Sequence, residues 1–106
     1  MKTKLKIGAF DWSFTDEATK MGNNLGLCNY EKLELTVKRN LIPSVKSSTV
    51  LHELIHAMFD SCGYVPKDEE DVVDVLANQL FLFIQNNPKF FKEFILDSAV
   101  NSKNNK

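Results

Sequence analysis

The chain has 106 residues, 43% of them hydrophobic and 25% charged, with a formal net charge of −1. That length and mix fit a single globular domain with a modest core. The near-neutral balance and scattered basic residues give no footing for nucleic acid or an acidic membrane surface, and neither is expected as a partner. Residues 1–8 lack the apolar run of a signal peptide, and the longest apolar stretch, residues 80–84, is too short to span a bilayer. The expectation is a cytosolic, cytoplasmic protein. Cys28 and Cys62 are the wrong number and spacing for a disulfide scaffold and read as free thiols.

In chain order, Leu5, Ile7 and Ala9 alternate with Lys4, Lys6 and Gly8, which predicts a strand continuing through Phe10, Trp12 and Phe14. Residues 15–26 carry Asp, Asn, Gly and Thr and read as a loop with a short helical turn. Leu33, Leu35 and Val37 alternate with charged and polar neighbours and predict a second strand over 32–38. Its exposed edge is a candidate for strand addition by an extended peptide. Equally, its charges protect an open edge.

A helix follows over about 45–61, with Ser44 as N-cap and Gly63 just past its end. At 100° per residue, Leu51, Leu54, Ile55, Met58 and Cys62 share one apolar stripe. Asp68 caps a second helix whose first turn is acidic, at Glu69, Glu70 and Asp71. From 72 to 84 that helix is apolar on most sides and reads as the central core element. Asn87 and Pro88 end it and start a third helix with Phe90, Phe91, Phe94 and Ile95 on its apolar face. Residues 1–100 make one domain and 101–106 a polar, disordered tail. The fold class is α+β: a small antiparallel sheet followed by three helices.

The only two histidines are His52 and His56, in the segment His52-Glu53-Leu54-Ile55-His56. Four residues advance a helix by about 400°, so both imidazoles point the same way, one turn apart. That geometry suits two ligands of one tetrahedral zinc, and H-E-x-x-H is a specific motif. Zinc activates a water and polarises the scissile carbonyl. Glu53, beside the pair but aimed differently, is placed to be the general base that takes the proton and returns it to the leaving amine.

A catalytic zinc needs a third protein ligand. There is no third histidine: Phe59 and Cys62 stand where the pattern H-E-x-x-H-x-x-G-x-x-H would have Gly and His. Carboxylates remain, chiefly Asp60, Glu69, Glu70, Asp71 and Asp74. Glu70 with Asp74 four residues on resembles the gluzincin metallopeptidases, where the glutamate binds zinc and the aspartate orients a histidine. The resemblance makes Glu70 the third metal ligand and Asp74 its supporting neighbour. Glu69 and Asp71 are read as complements to the helix dipole. Tyr30 and Tyr64 are weaker candidates for stabilising an oxyanion.

Lys6-Ile7-Gly8, Gly26-Leu27-Cys28-Asn29-Tyr30, residues 49–57, Glu69-Glu70, Val72-Val73 and Leu76-Ala77-Asn78 together resemble the minimal metallopeptidase-like proteins of phages and prophages. The resemblance implies a minimal zincin core, His52 and His56 as ligands, Glu53 as base and action in a bacterial host. It implies a zinc endopeptidase with a protein or peptide substrate. The alternative is a non-catalytic phage protein that keeps the fold and a structural zinc to bind and modulate a partner protein.

Overall fold

Gly8 and Ala9 divide the single opening strand expected from the alternation into a hairpin. In the computed structural model, which describes residues 2–17 and 23–104 (102–104 by backbone alone), β1 is Lys2–Ile7 and β2 is Phe10–Glu17. They pair antiparallel with Ile7 opposite Phe10, leaving a two-residue turn with φ of +62° at Gly8. Positive φ at the first central residue is a favoured hairpin geometry. The loop expected over 15–26, with its short helical turn, is strand up to Glu17 and strand again from Gly26; its residues 18–22 lie outside the described residues.

Two further strands complete the sheet, β3 at Gly26–Asn29 and β4 at Glu34–Lys38. Asn29 accepts hydrogen bonds from the backbone N–H groups of Glu31 and Lys32 through Oδ1, closing the β3–β4 connection. The strand order is β1-β2-β4-β3. β4 runs antiparallel to β3 but parallel to β2, so the sheet is mixed rather than wholly antiparallel. The strand predicted over 32–38 is therefore interior, paired on both sides. The edge strands are β1 and β3, and strand addition at β4 is ruled out because its backbone groups are already used.

Above the sheet lies α1, Pro43–Ser61, and outside it α2, Glu69–Asn86. α1 begins two residues earlier than expected, with Pro43 in its first turn and Ile42, not Ser44, at the N-cap position. Its end is the predicted one. Gly63 (φ +71°) donates to the Asp60 carbonyl and Tyr64 to the Phe59 carbonyl. The Phe59 and Tyr64 rings meet edge to face at 4.9 Å, closing the helix with the hydrophobic contact typical of this cap.

Being the middle layer, α1 buries two faces. Ala57 and Leu54 pack on Ile7, Trp12 and Leu35 of the sheet. Ile55, with Leu51 and Phe59, packs on Val73 and Ala77 of α2. The single stripe predicted for α1 is thus corrected: Thr49, Glu53, Ile55, His56 and Ala57 are buried, while Met58 and Cys62 are exposed. α2 is not the central element either. Only Val73 and Ala77 are buried, because an outer layer has one neighbour to pack against.

A C-terminal rod follows Asn87. It consists of α3 at Pro88–Phe91, a π-helical turn at Lys92–Leu96, and α4 at Asp97–Asn104, so helix continues past residue 101, where the polar tail was expected to begin. The architecture is α+β, a four-stranded sheet followed by helices. Among the described residues no helix is long and apolar enough to cross a membrane.

Candidate metal centre

The turn after Gly63 sends α2 back along α1, so the first turns of α2 meet the second half of α1. Antiparallel helices match one-turn steps in opposite directions, and the side chains follow that register. His56 faces Glu69 and Glu70; His52, one turn earlier, faces Glu70 and Asp74.

Three donor groups converge. His52 Nε2 lies 2.7 Å from Glu70 Oε1, His56 Nε2 lies 3.2 Å from Glu70 Oε2, and the two Nε2 atoms are 3.2 Å apart. Neighbouring ligands on a tetrahedral ion with bonds of 2.0–2.1 Å stand about 3.3 Å apart, close to the spacing seen. His52, His56 and Glu70 form a group that could hold a metal ion.

The opposite ring nitrogens strengthen the fit. His52 Nδ1 lies 3.0 Å from Asp74 Oδ1, and His56 Nδ1 lies 2.6 Å from Glu69 Oε2. With each Nδ1–H donating to its carboxylate, both Nε2 atoms present lone pairs. Two lone pairs and a carboxylate then face one another as acceptors only. Such a set is suited to receive a cation at its centre.

Asp74 therefore stands where it was expected, on a ring nitrogen of a histidine. Glu69, expected only to complement the helix dipole, also lies against His56 Nδ1 as Asp74 lies against His52 Nδ1. The signal was present in the sequence as two acidic residues, 69 and 70, opposite two histidines. Which one turned toward Nδ1 depended on the rotation of α2, which periodicity alone left loose. Asp71 joins no contact with either histidine.

Glu53 is 7% exposed and lines the same cleft as His52 and Glu70. Burial raises its carboxyl above the ordinary value; His52 and His56 oppose that shift and Glu70 adds to it. It lies under β3. A Cβ built on Gly26 would stand 2.9 Å from Glu53 Oε2, 2.9 Å from its Cγ and 2.9 Å from Thr49 Cγ2. Only glycine lets the edge strand come this close to α1. Gly26→Ala should therefore destabilise the fold by about 1–3 kcal/mol, the usual cost of overpacking, read as a lower urea midpoint. An unchanged midpoint would mean that β3 sits farther from Glu53.

Tyr30 and Cys28 line a recess shared with His52, Glu53, His56 and Glu70. Burial pushes the Cys28 thiol up to about 12, with Glu53, Asp60 and Glu69 adding to it and the Tyr30 hydrogen bond opposing it. The Tyr30 phenol is likewise raised, first by burial and then by Cys28. Its ring packs edge-on against Trp12 at 6.4 Å. Tyr64 is not brought to the cleft; it serves the end of α1. Comparison with protein-family models, curated proteins and solved structures finds no match to this chain.

Proposed function

We propose that this protein is a zinc-dependent metallopeptidase, hydrolysing peptide bonds at the cleft between α1, α2 and β3. The observation that carries the reading is the convergence of His52 Nε2, His56 Nε2 and the Glu70 carboxylate, with Asp74 and Glu69 behind the two imidazoles. Two imidazoles and one carboxylate suit a borderline ion such as zinc. Three protein ligands are the number found in catalytic sites, where a fourth position stays open. Glu70 is 68% exposed, which leaves the cleft accessible from its side.

When bound, zinc supplies a Lewis acid that polarises a carbonyl and lowers the pKa of water to about 7. The chain's own residues do the rest. Glu53, buried beside the histidines, takes the proton of the attacking water and gives it to the leaving amine. Tyr30, exposed at the recess it shares with Glu53 and the histidines, offers a phenol hydrogen bond to the carbonyl oxygen as negative charge develops. β3 is the edge strand nearest Glu53, and its free backbone groups hold an extended peptide by strand addition. Leu27, exposed on β3, gives that peptide an apolar side chain to rest on. The resemblance to phage and prophage proteins adds the expectation of a bacterial cytosol.

The test is elemental analysis of protein prepared without chelator, paired with cleavage of a mixed peptide library. One zinc per chain and library cleavage that stops on chelation and resumes with zinc are expected. Protein that takes up no zinc would end this reading. Tight zinc with no cleavage would favour the alternative, a zincin-like fold that binds a partner without catalysis.

A further inference from the structure

The two ends of the cleft beside the metal donors differ in charge. One end passes Asn23, Asn24, Ser48 and Thr49, all uncharged, where it meets His52, Glu53 and Glu70. The other shares Leu27, Cys28 and Tyr30 with a hollow of about 510 Å³, whose lining is completed by Asn29 and Glu31. Among the described residues no Lys or Arg lines either end. Lys32, the nearest cation in sequence to Glu31, is not part of that lining. The charges that act on the Cys28 thiol, after its burial, are likewise all acidic: Glu53, Asp60 and Glu69.

Two of these carboxylates have no partner. Glu31 is exposed; its backbone N–H donates to Asn29 Oδ1, but among the described residues its side chain forms no ion pair or hydrogen bond. Glu53 is 7% exposed and lines both ends of the cleft, yet no described residue donates a hydrogen bond to it. A buried carboxylate without a donor marks a site that a ligand or water completes. Glu69 and Asp74 stand behind the imidazoles and Glu70 between them. Together with Glu31 and Glu53 these are more negative charges than a divalent ion balances, so the loaded cleft stays negative.

The hollow beyond Tyr30 also has the right walls for one kind of side chain. Leu27 and Tyr30 are 44% and 41% exposed and offer apolar surface, and Glu31 supplies the charge. Lysine and arginine lay a long aliphatic stem on apolar surface and keep the charged head at a polar rim. The open ring of Tyr30 attracts such a cation as well. We propose that the substrate is a basic peptide, with a lysine or arginine beside the cleavage point that rests on Leu27 and Tyr30 and meets Glu31. The inference rests on the reading of this cleft as a peptidase site and names its substrate class. A lone exposed ion pair contributes little. Here the pair lies within a field of one sign, and such clefts raise association rates about 10-fold or more.

The test has two readouts. The first is the set of residues flanking the cuts that zinc-loaded wild-type protein makes in a mixed peptide library. Lys and Arg should exceed Asp and Glu at one flanking position by about 10-fold or more at low salt, and the excess should shrink as salt rises. The second is fluorescence anisotropy of labelled alanine-rich peptides, with one central Lys or one central Glu, on zinc-loaded Glu53→Gln, in which turnover is stopped. The Lys peptide should bind more tightly. Adding Glu31→Gln should level both ratios, and Glu31→Lys should invert them. Each is a ratio within one preparation, so a loss of folded protein cancels. Library cuts with no basic preference, or a preference that Glu31→Lys leaves unchanged, would overturn the inference while the peptidase reading stands. A wild-type chain that cuts nothing would end the peptidase reading instead. The binding ratio then decides alone: equal affinity for the two peptides overturns the basic-peptide assignment, and a Lys preference inverted by Glu31→Lys upholds it.

Discussion

Glu53→Gln is expected to leave the fold and the bound metal unchanged while lowering peptide hydrolysis by about 10²–10⁴-fold, the usual contribution of a general base. The amide has nearly the shape of the carboxyl, so the close approach of Gly26 and β3 is preserved. Glu53 is outside the converging trio of metal donors, so the substitution removes no ligand. The buried carboxyl also carries a desolvation penalty, which the neutral amide lacks. Stability should therefore hold or rise as activity is lost. That opposite movement separates a catalytic role from a structural one. The measurement is initial rates on a cleavable peptide, with zinc content and urea midpoint taken on the same preparation. Wild-type rates in the variant would remove Glu53 from the mechanism.

The second large effect is on metal affinity, and the site divides it into three tiers. His52→Ala, His56→Ala and Glu70→Ala each delete one of three donors and should abolish tight binding. Glu69→Ala and Asp74→Ala leave the donors in place but free an imidazole to rotate. Such losses typically weaken binding 10–100-fold. Glu69 is expected to match or exceed Asp74, because its contact with His56 is shorter, 2.6 Å against 3.0 Å, and less exposed. Asp71→Ala should bind as wild type does. Competition titration against a chromophoric chelator reads all six constants. Equal damage from Asp71→Ala and Glu69→Ala would mean that only the overall acidity of the helix start matters.

The parts of this molecule legible in the sequence are those with local causes. The H-E-x-x-H helix was readable because a four-residue step fixes two imidazoles on one face, whatever surrounds them. Gly63 could be placed because an ending helix needs a residue that accepts positive φ. Strand β3 was not legible: four residues opening on glycine carry no alternation, and their pairing is supplied by β4. Nor was the parallel β2–β4 pair, which depends on a connection rather than on the pattern within either strand. The layer order misled most. α2 is more uniformly apolar than α1, so it reads as the centre, yet α1 lies between sheet and helix. Its polar Glu53 and His56 are buried because the site lies at that junction. The apolar side chains of α2 and the rod that stay exposed are those the layer packing does not use.

Zinc placed in this cleft tests the metallopeptidase account most directly. A crystal structure of the zinc-loaded protein, with anomalous data collected at the zinc edge, locates the ion without relying on any assumed ligand. The account predicts one peak bonded to His52 Nε2, His56 Nε2 and a Glu70 carboxylate oxygen, with water in the fourth position and Glu53 turned toward it. A peak elsewhere, or an ion closed off by a fourth side chain such as Cys28, would contradict it.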